Sequence, residues 1–425
     1  MTDLATRVTP ARATLLRRAA PALLGYAAVR ALGLVVLAVW SAARDKSAHT
    51  LLTARWDALW YTRVAELGYG YEVRLPNGDV HSDLAFFPLL PWLERLLHAV
   101  TPLSYADAGF VVALLASFAA AWGIFAVADQ VYGRRAGVCA VLLWAVLPVG
   151  IVQSMAYSES LFTALAAWSL YAVLTGRWVS AGLLAASAGL TRPVGLAVVA
   201  AVWVAAVAPF VRGWRTSTSD GARNDECAPD AVSAARARRV RSVRGARDAT
   251  RAPSVTPAAS VRRRALGMLI APLGAAGYVL WVGRHTGRGP LGYLDVQAGW
   301  RNGFDGGYAF ARFIADKFTS IPSALAGLGL IIGVALLIWL YVAGIRQGQP
   351  LSLLVYTGVV TALALCASSY FGSKPRLLLP AFPLLLPLAR SLARLPTSRS
   401  VQVTAGVAVA SAVYGAFWLN GSGPP

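Results

Sequence analysis

The sequence has 425 residues, of which 57% are hydrophobic and only 14% are charged, and its formal net charge is +20. Soluble domains carry roughly 25% charged residues, so this composition excludes an ordinary soluble protein. Many apolar runs reach about 20 residues, which predicts a polytopic all-α membrane protein. The charge does not indicate nucleic-acid binding, because most of it falls in loops on one side of the predicted membrane.

Eleven apolar segments are predicted to cross the membrane. In chain order they are 22–42, 108–128, 138–153, 160–174, 179–190, 193–211, 265–283, 321–343, 351–369, 377–393 and 401–419. The first is long and has no clear cleavage site, which favours a retained span over a signal peptide. The fifth and sixth are separated only at "TRP" (Thr191, Arg192 and Pro193, the last of which begins the sixth) and could instead form one kinked helix.

Residues 213–264 form a low-complexity stretch rich in Arg, Ala and Ser. Such a composition cannot bury enough apolar surface to offset chain entropy, so it predicts a disordered cytoplasmic linker between transmembrane modules 1–212 and 265–425. The thirteen arginines in 212–264 indicate that this loop lies on the inner side of a cytoplasmic membrane. Six predicted spans precede the loop, so the N-terminus is predicted on the same side. Three scattered cysteines show neither metal-ligand spacing nor a disulfide framework.

Two predicted outer segments, 43–107 and 284–320, are long for a polytopic protein, which indicates a function. The first is predicted to contain two interfacial helices joined by a turn at "RLPNGD". Trp56 and Trp60 share the apolar face of the first helix, and Asp57 lies at the polar border of that face.

Three carboxylates on the outer side are candidates for chemistry, and each has a simpler structural interpretation. Asp57 is either a general base at headgroup depth or a first-turn residue that complements the helix dipole. Glu159, in "QSMAYSESLF", is a second site residue or part of a helix cap. Asp83 contributes to the site or supports the second surface helix.

Arg192, Lys374 and Arg376 are predicted at the outer ends of spans. Each could be a snorkelling anchor, but arginine in particular binds phosphate in a bidentate way. Weaker candidates occur in the second outer segment: Arg284, Arg288, Arg301, Arg312 and Lys317. His81 and Asp83 are close enough in sequence to touch a metal ion, and we find no nucleotide-binding or nucleophile-elbow motif.

The chain resembles a known family in several motifs. They are "RWDALWYTRVAELGY", "AFFPLLPWL", "AYSESLF", "LTRPVGL" and "KPRLLLPAFPLLLPLA". They are similar to those of the PIG-V-like mannosyltransferases of the GT-C glycosyltransferase superfamily, and they occur in the same order over most of the spans. The first motif is the most specific.

The resemblance implies a sugar donor carried on a polyprenyl phosphate and chemistry on the non-cytoplasmic face. It also implies an acidic general base in the first outer loop, which Asp57 matches, with Trp56, Trp60 and Tyr61 of the same motif around the substrate. Glu159 is expected beside Asp57 in catalysis. Asp83 and the three cations are expected to bind substrate, and Glu159 and Asp83 could hold a divalent metal ion.

The sequence therefore predicts a GT-C-like bundle that transfers mannose, with inversion, from polyprenyl-phosphate mannose to a lipid or glycan acceptor. A transporter or flippase of a lipid-linked sugar is the main alternative. That alternative needs a polar path through the membrane, and Arg30 is the main ionisable residue within a predicted span. A noncatalytic membrane scaffold is a third alternative, which leaves the aromatic surface helices unexplained.

Overall fold

The computed structural model describes residues 11–221, 257–368 and 370–421. The helices of the first described range are α1 Ala11–Ala42, α2 Ala48–Thr53, α3 Asp57–Leu67, α4 Leu89–Val100, α5 Tyr105–Tyr132, α6 Arg134–Ala145, α7 Ser158–Leu174, α8 Trp178–Gly189 and α9 Leu196–Gly221. Those that follow are α10 Pro257–Ile270, α11 Leu273–His285, α12 Gly292–Gly299, α13 Tyr308–Ala315, α14 Ile321–Arg346, α15 Leu351–Cys366, α16 Lys374–Leu377, α17 Leu386–Leu392 and α18 Thr397–Leu419.

Apolar helices of spanning length confirm a multi-pass, mainly helical membrane protein. Those long and apolar enough to cross a bilayer are Leu15–Ala42, Tyr105–Tyr132, Val261–His285 (α10 and α11 with a two-residue turn between them), Ile321–Arg346 and Thr397–Leu419. Shorter apolar helices are Ser158–Leu174, Trp178–Gly189, Pro193–Pro209, Leu351–Cys366 and Phe382–Leu392. The eleven-span count remains a prediction, and most of the predicted linker 213–264 lies outside the described residues.

Predicted spans 138–153 and 377–393 do not form continuous helices. In the first, α6 ends at Ala145 and a separate 3₁₀ turn follows at Gly150–Ser154, because Pro148 between them has no N–H for a helical hydrogen bond. The second contains three prolines and consists of a 3₁₀ turn followed by the short helix α17.

Buried side chains bind the backbone carbonyls that the end of α6 leaves without helical partners. The Arg30 guanidinium on α1 donates to the carbonyls of Ala145 and Gly150, and Gln153 Nε2 donates to the Trp144 carbonyl at 2.7 Å. Irregular backbone at membrane depth requires such internal partners, since lipid tails supply none. The buried arginine therefore stabilises a helix break.

The first predicted outer segment, 43–107, contains the two predicted helices, α3 and α4, but the connection between them is not a simple turn. Strands β1 (Glu72–Arg74) and β2 (Val80–Ser82) form an antiparallel hairpin there. Strands of three residues are too short to show a period-two apolar pattern, so the sequence did not reveal them. Placement of α3 and α4 in the membrane interface remains a prediction.

An aromatic cluster joins the two long outer segments. Trp60 on α3 stacks on Phe86 with ring centroids 5.5 Å apart and meets Trp300 edge-on at 5.0 Å. Trp300 Nε1 donates to the carbonyl of Ser82 at 3.0 Å, and His81 stacks on the same indole. These contacts fix α3 between the hairpin and the second outer segment.

We expect Arg30→Met to lower the stability of the protein in detergent. The substitution keeps an apolar stem but removes the donors of two buried carbonyls, each of which costs about 1–3 kcal/mol when left unpaired. Thermal unfolding should show a clear decrease relative to wild type, whereas Arg177→Met, at an exposed turn, should unfold like wild type. Equal unfolding temperatures for the two variants would contradict the assigned role.

Candidate active site

Asp57 is the first residue of α3, at the point where the chain enters the helix. The preceding residue, Trp56, has φ 50° and ψ −120° and provides no side-chain cap. The Asp57 carboxylate thus lies at the positive end of the helix dipole. Its side chain is 24% exposed, so it is sheltered yet accessible to a reactant.

Glu159 occupies the first turn of α7, and its side chain is almost fully buried. Arg192 Nη1 lies 2.5 Å from Glu159 Oε1. The arginine immediately precedes a 3₁₀ turn at Pro193–Gly195, where the fixed φ of proline ends the continuity of α8 and α9. The break between these helices therefore places a guanidinium against the start of α7.

Arg376, on the short helix α16, connects the two carboxylates. Its Nη1 lies 2.7 Å from Asp57 Oδ2, and its Nε lies 3.5 Å from Glu159 Oε1. The guanidinium also faces the ring of Tyr157 at 5.0 Å. Asp57, Arg376, Glu159 and Arg192 thus form a chain of alternating charges, which we call the four-charge cluster.

The four-charge cluster contains two cations and two carboxylates, and its formal charges cancel. Such balance is needed because an uncompensated buried charge costs several kcal/mol. Within a sheltered site, each contact is stronger than it would be in water. An arrangement of this kind can hold a basic carboxylate beside guanidinium groups that bind an anionic substrate.

The three aromatic residues predicted at the substrate site have different surroundings. The Tyr61 hydroxyl lies 2.7 Å from Ser158 Oγ, to which Arg192 Nη1 also donates at 3.4 Å, so Tyr61 borders the cluster. Trp60 belongs to the aromatic cluster of the outer segments. Trp56 packs under the guanidinium of its neighbour Arg55 at 3.8 Å.

Lys374 does not join Arg376 in the cluster, although both were predicted to bind phosphate. Residues two apart on a helix point about 200° apart. Lys374 Nζ is buried and donates to the carbonyls of Ala364 and Ala367, each at 2.8 Å. It therefore binds the C-terminal end of α15, and burial lowers the pKa of its ammonium group.

Asp83 is fully buried and supports the backbone next to the hairpin. Its carboxylate accepts hydrogen bonds from the Gly70 and Tyr71 amides at 3.0 and 2.9 Å, and burial raises its pKa. Glu159 contacts Arg192 and Arg376, whereas Asp83 binds backbone amides, so the two carboxylates have different partners. Within the described residues, no three His, Cys, Asp or Glu side chains cluster as a metal site.

The sequence did not indicate Ser158, Tyr157 or Arg55 as site residues, although the structure places them next to the cluster. Ser158 and Tyr157 lie in the motif that contains Glu159, so their positions were visible but their contacts were not. Among the second-segment cations, Arg301 Nε pairs with Asp79 at 2.5 Å, on the hairpin rather than with the cluster.

Comparisons with known proteins bear on the family and on the fold. Residues 28–212 match the family model described as mannosyltransferase (PIG-V), which confirms the resemblance seen in the motifs. No curated protein matches the sequence.

The fold is similar to that of ArnT from Cupriavidus metallidurans bound to undecaprenyl phosphate, with a TM-score of 0.50 and 15% identity. The match covers 89% of this chain and 61% of ArnT. Archaeal oligosaccharyltransferase AglB from Archaeoglobus fulgidus, in complex with an inhibitory peptide and a dolichol-phosphate, gives a TM-score of 0.44 at 12% identity over 94% of this chain and 56% of that chain. The ArnT match confirms a GT-C-like fold.

We expect Lys374→Met to destabilise the end of α15. The substitution removes a buried donor shared by several carbonyls, and each unpaired carbonyl costs about 1–3 kcal/mol. Thermal unfolding in detergent should therefore start at a lower temperature, while Lys317→Met, on the second outer segment, should leave it nearly unchanged. A Lys374→Met protein as stable as wild type would show that the carbonyl contacts contribute little.

Proposed function

We propose that this protein, whose residues 28–212 match the PIG-V mannosyltransferase family, is an inverting membrane glycosyltransferase. It transfers mannose from polyprenyl-phosphate mannose to a hydroxyl group of a lipid or glycan acceptor. The four-charge cluster carries this proposal, since it joins the motif aspartate to two arginines that suit a phosphate leaving group.

Asp57 acts as the general base. It takes the proton of the acceptor hydroxyl while the acceptor oxygen forms a bond to the anomeric carbon of the donor. The bond between that carbon and the phosphate oxygen breaks, and its electron pair leaves with the phosphate. Attack on the side opposite the leaving group inverts the anomeric configuration.

One catalytic carboxylate is enough for this reaction. A glycosidase must protonate a poor leaving group, and for that it uses a second carboxylic acid. A phosphate departs as a stable anion and needs positive charge instead, which preorganised groups supply at low reorganisation cost. The cluster offers that charge next to the base, in Arg376 and Arg192.

Glu159 orients the two arginines. It is the most buried member of the cluster and contacts both guanidinium groups through Oε1. Each guanidinium has five N–H donors in a fixed plane, so Arg376 and Arg192 keep donors for phosphate oxygens while bound to Glu159. Arg376 also contacts Asp57, so one guanidinium would serve both the base and the donor phosphate.

We place the reaction on the outer face of the cytoplasmic membrane. The basic residues of 212–264 favour the opposite side for the linker, and the cluster is built from residues at the ends of helices rather than at their centres. A transporter of a lipid-linked sugar is less well supported, because the intramembrane Arg30 donates to carbonyls at a helix break rather than lining a polar path.

Replacing Asp57 with asparagine should reduce sugar transfer about 10²–10⁴-fold, the usual contribution of a general base. Purified protein would be given polyprenyl-phosphate mannose and a membrane lipid extract, and mannose incorporation would be followed. The variant keeps the size of the side chain, so donor binding should persist.

Glu66→Gln, an exposed carboxylate on the same helix, provides the matched control and should transfer mannose at the wild-type rate. Undiminished transfer by Asp57→Asn would disprove the base assignment. Translocation of the lipid-linked sugar by wild type, without transfer, would instead favour the transporter.

A further inference from the structure

We infer that Arg55 is a positioning residue, which fixes the backbone immediately before Asp57 by binding the C-terminal end of α18. This inference rests on the proposed function, because it assigns Arg55 a role that acts through the base. The residue precedes Trp56 and Asp57 in sequence and belongs to neither the four-charge cluster nor the aromatic cluster.

The backbone at Trp56 needs external support. With φ 50° and ψ −120°, this bulky residue lies outside the regions that L-amino acids ordinarily adopt. Such conformations persist only where the surrounding structure enforces them, and they concentrate at functional sites. Because α3 begins at the next residue, the backbone at Trp56 determines where the Asp57 carboxylate leaves the chain.

The Arg55 guanidinium provides one side of this support. It lies over the Trp56 ring at 3.8 Å, and its two terminal nitrogens donate to the carbonyls of Leu419 and Gly421 at 3.3 and 3.5 Å. The last carbonyls of a helix lack helical partners and carry its negative dipole end. Lys46 Nζ binds the same helix end, at the Asn420 carbonyl, at 2.7 Å.

Tyr157 provides the other side and connects Arg55 with the cluster. Its hydroxyl donates to the Arg55 carbonyl at 3.5 Å, and its ring faces the Arg376 guanidinium. Arg55 thus lies between the end of α18 and Tyr157, whose ring faces the Arg376 guanidinium. Releasing Arg55 from α18 would shift the Asp57 carboxylate relative to Arg376.

A shift of the Asp57 carboxylate relative to Arg376 should lower kcat more than it weakens donor binding. Misplacement of a reacting group by about 1 Å can cost about 10²-fold in rate, whereas Arg192 and Arg376 would still bind the donor. We therefore expect Arg55→Gln to lower kcat about 10- to 100-fold with a donor KM within about twofold of wild type. Arg55→Lys keeps the charge near the helix end and should recover part of the loss.

A double-mutant cycle separates positioning from general damage. Arg55→Gln would be measured alone and combined with Asp57→Asn, with Arg44→Gln, an exposed arginine of the same segment, as the matched control. If Arg55 acts through Asp57, the substitution should cause no further loss once the base is gone. Additive losses, or a raised donor KM with unchanged kcat, would overturn the inference.

A second measurement does not depend on any transfer activity. In an Asp57→Cys variant whose three native cysteines are replaced by serine, the rate of alkylation by a membrane-impermeant maleimide reports the position of residue 57. Arg55→Gln should change this rate, because it displaces residue 57, and Arg44→Gln should not.

An unchanged labelling rate would overturn the positioning role whatever reaction the protein catalyses. A changed rate in a protein without any transferase activity would support the positioning role and overturn the proposed function. The two proposals therefore fail in different ways.

Discussion

The candidate active site depends on one guanidinium group. Arg376 binds Asp57 through one nitrogen and Glu159 through another, and Glu159 in turn holds Arg192. Without this bridge, two carboxylates from different parts of the chain would repel each other in a site that water reaches poorly. With it, the candidate base and the candidate phosphate ligands share one rigid network.

Breaks between helices bring the members of this network together. Charged side chains donate hydrogen bonds to the backbone carbonyls at those breaks. Arg30 binds carbonyls released where α6 ends, just before the segment that leads to Glu159. Lys374 lies on α16, the helix that also carries Arg376, and donates to carbonyls at the end of α15. Arg30 and Lys374 thus hold irregular backbone in place, whereas Arg192 and Arg376 contact the carboxylates of the four-charge cluster.

The sequence predicted the cluster better than it predicted the fold around it. Asp57, Glu159, Arg192 and Arg376 were selected from motif type and membrane side, and the structure brings all four into contact. Lys374 was grouped with Arg376 because the two are close in sequence, but helix geometry sends them apart. The carbonyl partners of Lys374 and Arg55, like the hairpin, could not be predicted, because such contacts depend on where distant backbone segments meet.

Binding of polyprenyl phosphate, the product that the proposed sugar transfer would leave, tests the central claim most directly because it needs no knowledge of the acceptor. Arg376→Gln should weaken this binding at least about tenfold, the loss expected when a charge-assisted contact is removed. Lys374→Met, once shown to be folded, should bind the lipid phosphate like wild type. Equal affinity of wild type and Arg376→Gln, or a loss confined to Lys374→Met, would contradict the placement of the donor phosphate at the four-charge cluster.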